Sequence, residues 1–223
     1  MAGRAKLPLA PLATSAVLVL SACLENSTAL DAVRALQGTV LGGADLAITR
    51  EAVTNLPYAS MSARVGRGIQ GLLLLSHTRG DEQVWRAERE AVLVLRYGRL
   101  VRTAGFNEDL VGSQDLEEDP LEYGLHRLTS PRRFSRTMDS EPGGRYGQPV
   151  DCVVESVGPR KITIVEVEFD TVLAREDCEA RLVHWRFTNW YWVDPVDGFV
   201  WRSTQHFARS LPALEYNILK PAG

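Results

Sequence analysis

The sequence predicts a mainly β fold: a single domain in which an antiparallel meander forms one strongly curved or partly closed, barrel-like sheet, with short N-terminal helices at one end. Three observations carry this prediction. The stretch from Arg181 to Phe207 reads as one long β-hairpin and holds four of the chain's five tryptophans. Short apolar runs of strand length recur through the chain, separated by Gly, Pro and Asp clusters with turn chemistry. Helical patterning, by contrast, is brief and lies mainly in the region before Pro57.

In chain order, residues 1–22 are a secretory signal, with Arg4 and Lys6 as its positive region, Leu7 to Leu20 as its apolar region and Leu20-Ser21-Ala22 as a small-residue cleavage site. Pro8 and Pro11 interrupt the apolar run, which is shorter than the roughly 20 residues a membrane-spanning helix needs. Leu-Ser-Ala followed by Cys23 resembles the lipobox of bacterial lipoproteins, whose cysteine thiol takes a diacylglycerol and becomes the acylated mature N-terminus. This implies a tether of three fatty chains, each buried methylene contributing about 0.8 kcal/mol to membrane attachment. Leu24, standing where an inner-membrane lipoprotein has aspartate, implies sorting to the outer membrane, facing the periplasm. Residues 23–47 are then a lipidated tether with a short helix over part of Leu24 to Asp45, and 48–223 are the β domain.

At 223 residues and 45% hydrophobic, the chain has ample material for one large β core. Its net charge is −3, and without Arg4 and Lys6 the basic count falls from 25 to 23 against 28 acidic residues, a net −5. That balance gives no electrostatic footprint for nucleic acid or anionic lipid headgroups. With Cys23 assigned to lipid, Cys152 and Cys178 form an even pair in an oxidising compartment, where a disulfide is expected; two unpaired, buried cysteines are the alternative. Neither a CxxC nor a paired-histidine spacing is present, so no metal or cofactor is expected.

Within the β domain, Thr49 to Asn55 forms a helical turn that Pro57 ends. Strands follow at Ile69 to Ser76, Val84 to Arg96 and Arg99 to Thr103, the last two joined by the tight turn at Tyr97-Gly98. Acidic residues and Pro120 between Phe106 and Leu128 point to a loop with one helical turn. Arg132 to Asp139 and Pro149 to Val157 are strands, with a loop at Glu141 to Gly147 between them. Gly158-Pro159 is expected to turn the chain into Lys161 to Val172, where Val165, Val167 and Phe169 alternate with Glu166, Glu168 and Asp170. The tryptophan hairpin completes the sheet. Its first arm, Leu182 to Val193, sets Arg186, Trp190 and Trp192 on one face against Trp185, Phe187 and Tyr191 on the other; Asp194 to Gly198 closes the turn and Phe199 to Phe207 returns.

Several of these segments together resemble the YjbF/GfcB lipoproteins, which are associated with group 4 capsule and exopolysaccharide clusters. Ile48 to Ser60, with Leu-Pro-Tyr-Ala-Ser at its end, resembles the segment that opens that family's domain. Tyr97-Gly98-Arg99-Leu100-Val101, Asn107 to Leu110, Asp119-Pro120-Leu121, Ser135 to Asp139 and Arg186 to Trp192 match further family segments in the same order. The acidic residues that flank Asp119-Pro120-Leu121, namely Glu117, Glu118 and Glu122, and the cysteine pair fall outside the resemblance. What it implies is a non-enzymatic accessory of polysaccharide export or assembly that docks on a partner such as an outer-membrane β-barrel.

Candidate chemistry from the residues alone is sparse. Glu166, Glu168 and Asp170 form a carboxylate row of the kind glycosidases use, but a row on a half-exposed strand is ordinarily a solvated face. His77, His126, His184 and His206 have no GxSxG serine to serve. The face with Trp190 and Trp192, flanked by Arg186 and Arg202, is the candidate contact for a polysaccharide or a protein partner, and a periplasmic carbohydrate-binding module is the alternative function.

Overall fold

The computed structural model describes residues 48–87 and 91–222. The signal, Cys23 and the helix expected in the tether lie outside the described residues. Twelve strands form one antiparallel sheet: β1 (Ser60–Val65), β2 (Gly71–Arg79), β3 (Glu82–Ala87), β4 (Val92–Arg96), β5 (Arg99–Ala104), β6 (Asp109–Asp115), β7 (Arg132–Glu141), β8 (Arg145–Ile164), β9 (Val167–Ala180), β10 (Trp185–Val193), β11 (Val200–Gln205) and β12 (Leu214–Lys220). Each strand pairs with its sequence neighbour and β12 returns to pair with β1, so the ring is interrupted only between β5 and β6. The expected curved meander is therefore a barrel closed but for one seam.

Side chains bridge that seam. The Leu110 amide donates to Thr103 Oγ1 at 2.9 Å, the Thr103 hydroxyl donates to Asp109 Oδ1 at 2.8 Å, and Arg102 Nε donates to the Val111 carbonyl at 3.3 Å. Arg96 pairs with Asp115 across the same gap. These bonds satisfy part of the edges that two unpaired strands would otherwise expose.

The barrel interior is packed. Trp85, Phe134, Tyr191, Phe207 and Tyr216 are almost completely buried together with aliphatic residues of every strand; each such ring contributes about 1.5–3 kcal/mol on leaving water. A second apolar cluster lies on the outside. β8 and β9 are longer than their neighbours, and the tip of their hairpin brings Ile162, Ile164 and Phe169 against Leu72, Leu219, Trp192 and Trp201. α1 (Arg50–Asn55) adds Val53 to this cluster. Thr49 caps α1 by accepting the Ala52 amide at 3.2 Å, and Lys220 Nζ meets the helix's outgoing carbonyls at Thr54 and Leu56, where a cation is favoured.

The element boundaries depart from the pattern in four places. The run Val84 to Arg96 is two strands, because Glu88-Arg89-Glu90 breaks its apolar alternation; the Ala87 amide bonds the Ala91 carbonyl across the break. The acidic stretch expected to be a loop contains β6, whose Leu110 and Ser113 turn inward while its Asp109 and Asp115 find partners on β5 and β4. Gly158-Pro159 does not turn the chain: Gly158 sits at a bulge inside β8, and the turn falls at Val165-Glu166, both at positive φ. Arg181–Val183 is a short 3₁₀ turn, so the first arm of the tryptophan hairpin starts at Trp185. β1 and β12 carry no strand assignment from the pattern, since Ser60, Ser62 and Asn217 are polar yet buried and obscure the alternation.

Cys152 and Cys178 are directly opposed on β8 and β9, with Cα atoms 4.2 Å apart, and are joined as a disulfide. Replacing both with alanine is expected to cost about 3 to 4 kcal/mol by the loop-entropy argument. The check is the urea midpoint of the purified protein with and without dithiothreitol. Reductant should lower it in the natural sequence and leave the double variant unmoved; equal midpoints in both would show that the bond does not form.

Candidate functional site

One end of the barrel carries the turns β2–β3, β4–β5 and β10–β11, together with the segment 119–127 that crosses from β6 towards β7. β1 begins and β12 ends at the same end, so the described chain both starts and finishes there. A cleft of about 430 Å³ opens between these loops, walled by Tyr97, Tyr123, His126, Phe199 and Tyr216 and edged by Asp81, Glu122, Asp197 and Arg127. Three glycines at positive φ, Gly98, Gly124 and Gly198, bring backbone into its floor. A Cβ on Gly198 would lie 2.5 Å from His126 Nδ1 and one on Gly124 2.5 Å from His126 Cε1, so the imidazole fits only because both positions lack a side chain. Arg127 Nε donates to His126 Nε2 at 3.2 Å, which leaves the proton of the neutral ring on Nδ1, a buried atom with no partner among the described residues.

Tyr97 itself has φ 51°, a left-handed conformation that costs a tyrosine about 1–2 kcal/mol. Its ring is 41% exposed and that of Tyr123 46%. Loss of hydration, and then Glu122 and Asp81 nearby, push the Tyr97 phenol above its ordinary range.

Directly below the cleft lies a buried charge network. The Gly98 carbonyl accepts from the Tyr216 hydroxyl at 2.7 Å and from Gln205 Nε2 at 2.8 Å, forming the partition between the two. Arg99, 1% exposed, clasps Asp119 with Nε at 2.5 Å and Nη2 at 2.8 Å, and its Nη2 lies 2.8 Å from Glu176 Oε1. The Tyr191 hydroxyl and Asn189 Nδ2 donate to Glu176 Oε2 at 3.0 and 2.6 Å. Burial opposes charge on all of these groups, but Arg99 outweighs it at Asp119 and Glu176, holding both carboxyls below their ordinary range. Arg99 in turn stays charged because the two carboxylates overcome its own burial. Burial and then Arg99 push Arg136, a second buried guanidinium, downward. No sequence pattern marks this network, because Arg99, Asp119, Glu176 and Tyr191 are dispersed over the chain; the one cue is that Arg99, Asp119 and Tyr191 all fall in segments of the family resemblance.

The residues singled out from sequence are placed as follows. Trp190 and Trp192 share the outer face of β10, as the alternation requires, and Phe187 and Tyr191 point inward. Trp192 packs on the outer apolar cluster with Arg202 5.8 Å above its ring, and Arg175 lies 5.8 Å from the ring of Trp190. Arg202 donates to Asn217 Oδ1 at 2.5 Å and to the Thr163 carbonyl at 2.9 Å, which fastens the β8–β9 tip. Arg186 is exposed and bonded twice to Glu179 Oε1, at 2.9 and 3.0 Å. Glu166 is a turn residue, and Glu168 and Asp170 share Lys161 at 2.5 and 3.5 Å in solvent. His184 sits in a left-handed turn and His206 against Phe187, both at the barrel end opposite the cleft, and His77 is exposed beside Ser76. Cys152, Cys178 and Glu176 bring two sulfurs and a carboxylate within 4.8 Å, but sulfurs bonded to each other offer no thiolate to a metal.

Arg99→Met should cost about 3–5 kcal/mol, because Asp119 and Glu176 would stay buried without their main counter-charge. The pH response should change with it. Both carboxyls titrate lower folded than unfolded, so the stability they provide is present above about pH 5 and is lost as pH falls through their folded values. In Arg99→Met the acid-side loss should shrink, since burial then pushes Glu176 upward against only Arg136 and the hydrogen bond from Asn189. Urea midpoints measured across the acid range for both proteins test this; parallel profiles would mean that the network carries little of the acid sensitivity.

Comparison with known proteins identifies the family and the fold. A family model described as "Group 4 capsule polysaccharide lipoprotein gfcB, YjbF" matches residues 33–219. The chain is 22% identical over 205 residues to the uncharacterized lipoprotein GfcB of Escherichia coli K12, covering 92% of this chain and 95% of that protein. It is 24% identical over 209 residues to the uncharacterized lipoprotein YjbF of the same organism, covering 92% and 94%. The crystal structure of the hypothetical lipoprotein YmcC from Escherichia coli K12 superposes with a TM-score of 0.72 at 21% identity, over 87% of this chain and 96% of that one, which shows that the fold is shared. The chain belongs to the YjbF family of group 4 capsule polysaccharide lipoproteins.

Proposed function

We propose that this protein is a non-enzymatic, lipid-anchored accessory of exopolysaccharide or capsule export or assembly, held through Cys23 on the periplasmic face of the outer membrane and working by docking on a protein partner such as an outer-membrane β-barrel. The family description ties its relatives to capsule polysaccharide. The observation that carries the docking mechanism is the filled barrel: rings, aliphatic side chains and the Arg99 network occupy the interior, so the fold offers surfaces and loops rather than a lumen for cargo. Of the carboxylate row singled out from sequence, Glu168 and Asp170 are paired with Lys161 in solvent, and the interior carboxylates Asp119 and Glu176 are locked in ion pairs with Arg99, an arrangement that favours a non-catalytic role for both sets.

The alternative of a carbohydrate module on the aromatic sheet face finds less support. The β8–β9 tip packs against Trp192 and Trp201, and the donors of Arg202 are taken up by Asn217 and Thr163.

Two measurements test the proposal. Mass spectrometry of the membrane-bound protein should find Cys23 acylated at the mature N-terminus, and Cys23→Ser should accumulate as an uncleaved or mislocalised precursor. Crosslinking of the acylated protein in outer membranes should then capture a component of polysaccharide export. An unmodified Cys23 on mature membrane-bound protein would sink the anchor, and capture of no export component would sink the docking role.

A further inference from the structure

We propose that the tyrosine-walled cleft at the tether end of the barrel is a glycan-binding site that takes a neutral segment of polysaccharide. This deepens the proposed function by naming a ligand class and a place for it, distinct from the outer face of β10. At about 430 Å³ the cleft lies within the range of small-ligand sites, roughly 300–1,000 Å³. Its chemistry is mixed in the way a sugar requires. The phenol rings of Tyr97 and Tyr123 offer apolar faces for C–H surfaces, one face of Tyr123 being covered by Arg132 5.5 Å from its ring, and both residues remain exposed, as Tyr58 and Tyr146 do outside the cleft, whereas most other large rings are packed.

Tyr97 is the most informative residue. Glycine or asparagine suits a left-handed turn position, and a tyrosine there adopts an unfavourable backbone conformation without recovering its cost by burial. Strain at an exposed ring on the wall of a cleft is what a binding contact would explain. His126 adds a second feature: its ring is seated between Gly124 and Gly198, so backbone without side chains lines the cleft there and leaves room for a ring to approach.

Charge sets the class of sugar. Asp81, Glu122 and Asp197 face Arg127 alone among the cleft's lining residues, so the site is net negative and repels a uronate or a sulfated sugar, while a neutral chain meets acceptors for its hydroxyls.

The test is calorimetric titration of the mature acylated protein, in a detergent without a sugar headgroup, against tetrasaccharides of glucose, galactose and N-acetylglucosamine and against chains of the same length containing glucuronate. At least one neutral tetrasaccharide should bind, with the glucuronate chains at least about tenfold weaker. Tyr97→Gly and Tyr123→Ala should each weaken the neutral ligand by about tenfold or more. Tyr97→Gly should melt no lower than the parent, since it relieves the backbone, and Trp190→Ala should bind as the parent does. Failure of every neutral tetrasaccharide to bind, tighter binding of the glucuronate chains, or unchanged binding by the Tyr97→Gly/Tyr123→Ala double variant would overturn the site. Acylation of Cys23 and capture of an export component would stand whatever these titrations show, so failure of the cleft and failure of the docking role are told apart.

Discussion

A single guanidinium, that of Arg99, is the group on which the rest of the barrel depends. It sits at the start of β5, one of the two strands left unpaired at the seam, and its partners come from elsewhere: Asp119 from the crossing segment after β6, Glu176 from β9 and Tyr191 from β10. A charge this deeply buried is tolerated only where counter-charges and hydrogen bonds replace its lost hydration. The chain must therefore bring β5, the 119 segment and the opposite wall together before any of these groups is satisfied. Closure at the seam, where backbone pairing is missing, is thereby tied to the wall across the barrel.

The same network helps to fill the barrel and so directs any recognition outward. On the outside, however, much of the aromatic surface is used internally. The long β8–β9 hairpin curls over β12 and β11, and Arg202 stitches its tip down through the Thr163 carbonyl. Trp192 and Trp201 thus become the inner lining of a second, smaller core. What the fold leaves open at the end nearest the tether is a cleft whose floor is one residue, Gly98, above the buried charges. Loops fixed from below in this way are held rigid without a large apolar core of their own, which suits a site that must be pre-formed.

The sequence announces the antiparallel class and the two faces of β10, because strict alternation of large residues leaves little freedom of register. It also shows α1, with Thr49 as cap and Pro57 as stop. It conceals β1 and β12, where buried Ser60, Ser62 and Asn217 make an interior strand look polar, and β6, where acidic residues that look solvated are in fact paired across the seam. Gly158-Pro159 misleads for a related reason: a glycine at positive φ marks a turn or a bulge equally well, and only the pairing partner decides. The Arg99 network is hidden because its members come from four separate segments, and the cleft because it is made of loops whose proximity is set by the barrel. Trp190 and Trp192 are conspicuous as side chains, whereas the packing of the β8–β9 tip over Trp192 depends on how far that hairpin extends.

The connectivity of the barrel also constrains how an anchored molecule would present itself. Odd-numbered strands from β1 to β5 leave the tether end and even-numbered ones return to it, so the turns at Gly80-Asp81 and Tyr97-Gly98 lie beside the point where the chain enters at Ile48. On the proposed attachment at Cys23, 25 residue steps separate the lipid from that point, a reach of at most about 80–90 Å if fully extended. The loops that wall the cleft sit at the end of the barrel where the described chain begins, and the apolar mouth lined by Ile69, Phe106 and Leu211 sits at the opposite end. A partner docking at the distal mouth would leave the cleft free. The two ends of one filled barrel are in this way chemically different, one polar and walled in part by phenols, the other mainly apolar.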